Sequence, residues 1–235
     1  MLFRSATARL DHRLGDGLAL SASYTLSKSE DDGSDPGGTV AETNLPQNAY
    51  DMQAERAHSS YDHRHRLVAN GTYALPFFRG ASGVKSSLGA GWQVSGIVTV
   101  QSGSPFTVNL GTDRANVGDA TAQRPDLNGD PNLPSGRTAD RWLDTSVFSL
   151  PAQYTFGNSP RNAVIGPGAA QVDVVLQKNA PVARAVRLEL RWEIFNLLNR
   201  TNLDLPNRIA FTPNFGRIFS AQPPRQMQFG AKLVF

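Results

Sequence analysis

The sequence predicts an all-β fold: an antiparallel up-and-down transmembrane β-barrel, of which this chain supplies an incomplete C-terminal segment of about seven strands. Three observations predict it. Apolar and polar residues alternate with a period of two, which places successive side chains on opposite faces of a strand. The alternating segments run about 9–11 residues, the length that a tilted strand needs to cross hydrocarbon. Short and long connections alternate between them, as in outer-membrane barrels with short periplasmic turns and longer extracellular loops.

The clearest alternating segment is residues 186–194. One face carries Val186, Leu188, Leu190, Trp192 and Ile194, and the other carries Arg187, Glu189, Arg191 and Glu193. A helix would spread both sets around its circumference, so this segment is predicted to be a strand. The same rule predicts strands near residues 3–12, 18–28, 66–75, 91–101, 170–178, 185–197 and 225–235.

The lengths of the connections distinguish an outer-membrane barrel from a soluble β-sandwich. Short turns are predicted at 13–17, 76–90 and 179–184, and the long outer loops at 29–62, 106–169 and 199–224. A soluble β-sandwich also has alternating strands, but compact soluble domains rarely hold unstructured loops longer than about 12–15 residues. The polar strand face, rich in Arg, Glu, Gln, Lys, Ser and Thr, fits the wet or plug-filled lumen of a large barrel.

The composition excludes several classes of protein. Of the 235 residues 40% are hydrophobic and 18% charged, against about 25% charged in an average soluble domain. Collagen-like chains are excluded, and the composition disfavours a wholly disordered chain. With no cysteine, disulfide frameworks, Cys-based zinc sites and thiol catalysis are excluded. The net charge of +3 is too small to indicate nucleic-acid binding. No apolar run approaches the roughly 20 residues of a membrane helix.

The N-terminal residues lack the apolar segment of a secretory signal. Taken literally, this places the chain in the cytoplasm. We instead expect the bacterial outer membrane, because the chain has the character of the end of a longer protein.

The last eight residues fit the assembly signal at the end of bacterial barrels. They place a polar residue, a glycine, an apolar residue and a terminal aromatic residue at Gln228, Gly230, Leu233 and Phe235. The barrel assembly machinery would recognise such a strand by strand addition, with alternate side chains giving specificity. Gly230 would allow close approach of another backbone.

Several segments resemble one family of proteins. In chain order they are residues 24–29 (YTLSKS), 62–71 (DHRHRLVANG), 101–107 (QSGSPFT), 156–162 (FGNSPRN), 194–202 (IFNLLNRTN) and 224–230 (PRQMQFG). Together they resemble the C-terminal barrel region of TonB-dependent outer-membrane receptors, and most closely the Oar-like group, whose members carry a carboxypeptidase-regulatory-like domain. The resemblance covers essentially the whole chain.

This resemblance implies a barrel of about 22 strands with an N-terminal plug, of which the chain would be the last third. It implies energy-coupled uptake of a large or scarce solute. The implied partners are outer-membrane lipid, the barrel assembly machinery, the plug and remaining strands, and through them TonB. An outer-membrane adhesion protein and an autonomous small barrel remain as alternatives. Expressed alone without detergent, the fragment is expected to be insoluble, because its first strand presents an unpaired edge and its apolar face requires lipid.

Two groups of residues suggest metal sites. Asp126, Asn128, Asp130 and Asn132 offer oxygen ligands at alternate positions, as calcium loops do. The EF-hand pattern fails because Pro131 and Arg137 stand where Gly and Glu are required, which favours a polar turn. His63 and His65 are spaced to point to one side, but the arginines between and after them favour a polar barrel rim.

Three further features have a structural and a functional interpretation. The charges Arg187, Glu189, Arg191 and Glu193 face the predicted lumen. They fit ion pairing across the wall or contact with a plug better than a substrate path. The acidic segment 29–62 would bind cations, or form a solvated surface, which such runs more often do. The aromatic residues of the second long loop would stack on a ligand, cap the lumen, or pack within the loop: Trp142, Phe148, Tyr154 and Phe156.

The sequence gives no support for an enzyme. It contains no Gly-x-Ser-x-Gly elbow, no His-Glu-x-x-His motif and no phosphate-binding glycine loop. We therefore expect no catalytic residues, cofactor or bound metal.

Overall fold

The structure is a computed structural model that describes residues 1–15, 17–34, 45–77, 89–183 and 186–235. Its main feature is one antiparallel sheet in which seven long strands pair in chain order. These strands are β1 (Leu2–Leu14), β2 (Leu18–Asp31), β4 (His65–Ala74), β5 (Trp92–Gln101), β10 (Ala169–Ala183), β11 (Val186–Phe195) and β12 (Gln226–Val234).

Five two-residue strands lie in or beside the long loops. They are β3 (Ala57–His58), β6 (Pro105–Phe106), β7 (Asp126–Leu127), β8 (Phe148–Ser149) and β9 (Val164–Ile165). β3 extends the main sheet on β2, while β6 pairs with β9 and β7 with β8. Two short 3₁₀ helices span Met52–Glu55 and Thr145–Val147. In the described ranges, no helix is long and apolar enough to cross a membrane.

Three strands, β1, β2 and β10, are longer than the sequence pattern indicates. β2 continues through Asp31, and β10 continues through Ala183, so Asn179 lies in a strand rather than in a turn. The extension of β2 is polar, and alternation of hydrophobicity cannot mark a strand where neither face is apolar. The extension of β10 contains Asn179 and Pro181, residue types that are common in turns, which is why the sequence favours a turn there. Of the three predicted turns, residue 16, residues 78–88 and residue 184 lie outside the described residues.

The two faces of the sheet keep their character from strand to strand. On the apolar face, Trp192 of β11 lies opposite Leu176 of β10 and Phe229 of β12. The rings of Trp192 and Phe229 stack with centroids 5.5 Å apart. On the polar face, Glu189 lies opposite Lys232. The pairing register therefore continues the two faces that alternation predicts.

The sheet is a single layer. Of the ten buried apolar residues in the described chain, only Ile194 belongs to a long strand. Apolar side chains of the outer strands are open, with Leu10 65% and Phe229 78% exposed. A soluble sandwich buries one sheet face against a second layer, and no such layer covers this sheet within the described residues. The predicted sandwich alternative is therefore wrong.

The sheet is also open at both edges. Among the described strands, β1 pairs only with β2, and β12 pairs only with β11. The sheet therefore forms a wall and not a closed ring.

The hydrophobic core lies in the long loops. Its buried members are Phe106, Val108, Leu143, Phe148, Val164 and Ala210, and the half-buried residues packed on it are Leu127, Trp142, Val147, Leu205 and Phe215. All come from the second and third long connections. These two long loops therefore hold enough apolar side chains to build a core of their own.

Candidate functional site

The three long connections meet at one end of the sheet and form one packed unit, which we call the loop cap. It comprises residues 45–64, 102–168 and 196–225. The first two are joined by Gln47, whose side chain donates to the Gly157 carbonyl at 2.9 Å and accepts from the Arg124 amide at 2.8 Å. The last two are joined by backbone hydrogen bonds, one from Asn109 to Arg208 (3.0 Å) and one from Ala210 to Asn109 (2.8 Å).

A buried ion pair joins the first and second segments of the loop cap. The Arg124 guanidinium donates to both carboxylate oxygens of Glu55, at 2.6 and 2.9 Å, and its Nε donates to the Ser159 carbonyl at 2.9 Å. The side chains of Arg124 and Glu55 are 3% and 1% exposed. A bidentate pair with such additional hydrogen bonds is the arrangement in which buried charges are compensated.

A second buried pair ties the loop cap to the sheet. Arg161 donates to the carboxylate and, at 2.7 Å, to the backbone carbonyl of Asp31 at the end of β2. Its Nε donates to the Glu55 carbonyl at 3.0 Å. Because one guanidinium reaches both a strand end and the first loop segment, the loop cap is held in a fixed position over the strands.

These contacts decide the role of the acidic segment. Asp31, Glu55 and Asp62 are buried, and Asp62 accepts a hydrogen bond from the Ser29 amide at 3.0 Å. The interpretation of this segment as a solvated surface is wrong for these three carboxylates. Two of them, Asp31 and Glu55, pair with arginines of the second loop, and binding of an external cation by this segment stays a prediction. Asp35 and Glu42 lie outside the described residues.

One segment that carries the family resemblance, residues 156–162, makes structural contacts within the loop cap. Asn158 accepts from the Leu127 amide at 2.7 Å, and its own amide donates to Asp126 at 2.9 Å. Asn162 donates to the His58 carbonyl at 2.7 Å and accepts from the Thr107 hydroxyl at 2.9 Å. The polar residues Asn158 and Asn162 of this segment therefore stabilise loop geometry.

The third segment starts with asparagines that redirect the chain. Asn196 has φ 52°, a left-handed conformation that asparagine adopts more readily than most residues. Its side chain accepts from the Arg200 amide at 3.0 Å and donates to the Arg200 carbonyl at 2.9 Å. Asn202 makes the same two-bond contact with Ala170 of β10, at 2.9 and 3.0 Å. These contacts hold the third segment against the end of β10.

A cavity lies between this third segment and the polar face of β5 and β10. Its volume is about 960 Å³. The strands contribute Thr99, Gln101, Gln171 and Asp173, and the loop contributes Asp204, Arg208, Phe219 and Gln222 among others. The cavity therefore combines amides, carboxylates, a guanidinium and an aromatic ring, and it opens on the face predicted to line the lumen.

The predicted metal-ligand groups are engaged in other contacts. Asp130 accepts from the Asn132 amide at 2.8 Å, and the Asn132 side chain donates to the Ala163 carbonyl at 3.0 Å. His63 Nδ1 lies 2.8 Å from the Ser102 carbonyl oxygen, and His65 Nδ1 lies 2.7 Å from the Tyr24 hydroxyl. Across the described residues no group of three His, Cys, Asp or Glu side chains is arranged to hold a metal ion.

The aromatic residues of the second loop divide between two roles. Phe148 is buried in the core and meets Phe215 edge-on at 5.4 Å. Trp142 packs on that core and donates its indole N–H to the Ile165 carbonyl at 2.9 Å. Tyr154 is 69% exposed. Packing within the loop is thus the role of Trp142 and Phe148, while Tyr154 is free to meet a partner.

The charged residues of β11 lie on the polar face as the register requires. Arg187, Glu189, Arg191 and Glu193 lie opposite Val234, Lys232, Gly230 and Gln228 of β12. Glu193 accepts from the Gln228 side chain and lies 3.9 Å from Arg191. Across the two strands, the Gln228 amide therefore contacts the Glu193 carboxylate, and Glu189 lies opposite Lys232. Exposure of this face to a lumen stays a prediction.

The predicted assembly signal lies along the exposed edge strand. Gln228, Gly230 and Leu233 belong to β12, and Phe235 follows it, 94% exposed. A Cβ added at Gly230 would meet only the Arg191 Cβ, at 4.0 Å. No backbone of the described chain approaches Gly230 closely. Close approach of a backbone from another protein to Gly230 stays a prediction.

Two aspartates in the second loop have pKa values below the usual range. Hydrogen bonds from the backbone amides of Val117 and Gly118 lower the pKa of Asp113. The hydroxyl and then the amide of Ser146 lower the pKa of Asp144, which caps the 3₁₀ helix Thr145–Val147. Both carboxylates stabilise turns of the loop cap in their ionised form.

An open, single-layered antiparallel sheet with an apolar face, a polar face and long loops at one end defines an outer-membrane β-barrel wall. Comparison with protein families agrees: the family model described as "Outer membrane beta barrel domain" matches residues 2–228. The chain belongs to this family, and its place is the bacterial outer membrane. A search of curated proteins found no match to the chain.

Proposed function

We propose that the chain forms part of the barrel wall and the outer loops of a TonB-dependent receptor, which takes up a large or scarce solute across the outer membrane. The observation that carries this proposal is the cavity of about 960 Å³ between the third loop segment and the polar face of β5 and β10. A cavity at the long-loop end, opening on the lumen side, is where an entering solute would first be held. A cavity in this position favours a role in solute uptake over a purely structural role for the wall.

The arrangement of the loop cap supports the same role. Buried pairs such as Arg124–Glu55 fix the loops before a solute arrives, and a preorganised site loses less entropy on binding. We propose that further strands pair with the open edges of β1 and β12, and that a plug completes the receptor. In this proposal TonB acts on the plug, and the barrel assembly machinery recognises β12.

The proposal is tested by growth of three strains of the source bacterium on defined media with single limiting nutrients. The strains lack the gene, lack TonB, or lack both. We expect a growth defect on at least one nutrient that is equal in all three strains, because the two proteins would act in one pathway. Additive defects, or a defect in the gene deletion that does not depend on TonB, would overturn it.

A surface-interaction role is the second candidate, favoured by the exposed aromatic residues of the loop cap. Tyr50 is 101% and Tyr154 69% exposed, and exposed aromatic side chains are common anchors in protein interfaces. Changing both tyrosines to serine would then reduce attachment of cells to a surface and leave growth on every limiting nutrient unchanged. The uptake proposal predicts unchanged attachment.

A further inference from the structure

The cavity on the polar face of β5 and β10 carries an amide–carboxylate pair on each of two walls. On β10, the Gln171 side chain donates to both carboxylate oxygens of Asp173, each at 3.0 Å. On the third loop segment, the Gln222 side chain donates to the Asp204 carboxylate at 2.6 Å. All four side chains line the cavity. Because each carboxylate is held by a neighbouring amide, both pairs are positioned before a ligand binds.

Each pair offers hydrogen-bond donors and acceptors side by side. An ionised carboxylate has about four acceptor sites, and an amide that donates through one N–H keeps a second N–H and its oxygen. A hydroxyl group both donates and accepts. A ligand that carries several hydroxyl groups therefore matches the chemistry of the two walls.

Phe219 adds an apolar surface to the loop wall of the same cavity. Its side chain is 66% exposed and lines the cavity. The Arg217 guanidinium covers this ring at 5.5 Å from the centroid and lies outside the described lining of the cavity. An exposed aromatic ring provides apolar contact area, and the C–H side of a sugar ring is the part of a polyhydroxylated molecule that packs on such a surface.

The charges around the cavity disfavour an ionic ligand. An anion would meet the carboxylates of Asp173 and Asp204. A cation stacked on Phe219 would face the Arg217 guanidinium across the ring, and Arg208 also lines the cavity. Contacts between like charges are the usual means by which a site rejects a ligand. The lining therefore favours an uncharged molecule.

We propose that this cavity binds a neutral oligosaccharide, whose hydroxyl groups are held by the two amide–carboxylate pairs and one of whose rings packs on Phe219. The volume of about 960 Å³ is at the upper end of the roughly 300–1,000 Å³ of small-molecule sites, which leaves room for more than one sugar ring. The inference rests on the proposed function, because it names the class of solute that the receptor takes up.

The test is binding of the full chain, in detergent micelles, to an array of neutral oligosaccharides with acidic oligogalacturonates and basic chitosan oligomers beside them. We expect binding to at least one neutral oligosaccharide and weaker binding to both charged classes. Phe219→Ala should weaken this binding about thirtyfold, the loss typical of an aromatic anchor. The matched control Phe211→Ala changes a phenylalanine of the same loop segment that is 48% exposed and lies outside the cavity lining, and it should bind within twofold of the unchanged chain.

A second variant tests the amide–carboxylate pairs. Asp204→Asn keeps the shape of the side chain and removes its charge, so the binding of the same oligosaccharide should weaken about tenfold, because hydrogen bonds to charged groups are the stronger ones. Unchanged binding by Asp204→Asn, equal binding by Phe219→Ala and Phe211→Ala, preference for a charged class, or no binding to any neutral oligosaccharide would each overturn the proposal.

The array separates this inference from the proposed function, because it measures binding without TonB. Neutral oligosaccharide binding together with a growth defect that does not depend on TonB would overturn uptake and support the ligand class. A shared growth defect of the three strains without such binding would overturn the ligand class alone.

Discussion

Arg124 and Glu55 are 69 residues apart in sequence and share two hydrogen bonds, of 2.6 and 2.9 Å, inside the loop cap. Neither residue belongs to a strand of the sheet. The pair joins two connections that leave different strands, so it makes the loops into one unit. The account of the protein as a barrel wall with a preorganised outer end depends on such contacts.

Removing the carboxylate of this pair should open the loop cap. Glu55→Gln leaves a buried guanidinium without its counter-charge, which costs about 3–5 kcal/mol. We expect the free energy of opening of residues 45–64, measured by hydrogen exchange in detergent micelles, to fall by that amount. Asp140→Asn breaks the exposed Arg217–Asp140 pair (2.8 Å) and should cost less than about 1 kcal/mol. Equal effects of the two variants would show that the buried pair does not hold the loops.

The core of the loop cap should behave as the core of a folded domain. Leu143 is fully buried there, and Leu143→Ala should cost about 2–5 kcal/mol, because it leaves a cavity that the neighbours fill only in part. Leu150, 53% exposed, provides the control, and Leu150→Ala should change stability by less than about 0.5 kcal/mol. The measurement is urea unfolding followed by the fluorescence of Trp142 in variants that keep it as the only tryptophan. No difference between the two substitutions would mean that the loops are loosely packed.

At Gly103, which follows β5, any side chain should destabilise the fold. A Cβ at Gly103 would lie 1.8 Å from the carbonyl oxygen of Gly166, so Gly103→Ala must push two backbones apart, which costs about 1–3 kcal/mol or more. At Gly33 no heavy atom lies within 4 Å, and Gly33→Ala should be tolerated. Thermal unfolding of the loop cap compares the two variants, and tolerance of Gly103→Ala would contradict the close approach of the two segments.

The fold of the wall could be predicted from sequence because it depends on a local pattern. A strand with one apolar face shows alternation within its own residues, as in 186–194, and seven such segments predict the sheet. The loop cap lacks any such period. Its core residues Phe106, Leu143 and Ala210 come from distant positions, and their side chains meet only because the chain folds back.

The residues of the candidate site likewise divide into features that a local sequence pattern predicts and features that depend on distant contacts. The spacing in 156–162 marks a constrained segment, but which contacts constrain it depends on partners more than 100 residues away, such as Asp31 for Arg161. The acidic composition of residues 29–62 favours a solvated surface, and only the position of two arginines in the second loop shows why Asp31 and Glu55 are buried. The cavity on the polar face of β5 and β10 has no sequence signal, because its lining comes from strands and a loop together.

The turn at Asp144 should be sensitive to acid. Hydrogen bonds from Ser146 hold the pKa of Asp144 below its usual 3.8, so its stabilising effect is present above that pH and is lost as pH falls through the lower pKa of the folded state. Hydrogen-exchange protection of the Ser146 amide, corrected for the intrinsic effect of pH, should fall in that range. In Asp144→Asn it should not change with pH, and a change of the same size there would assign the effect to another group.

The central claim is that the two faces of the sheet meet lipid and water respectively. Leu190 and Arg191 are neighbours in β11 and lie on opposite faces. Leu190→Cys and Arg191→Cys, each labelled with a fluorophore in the full chain in lipid bilayers, provide the most direct test. The account predicts quenching by brominated lipid at position 190 and by aqueous iodide at position 191. Iodide quenching at both positions, without quenching by lipid, would contradict a membrane-spanning wall.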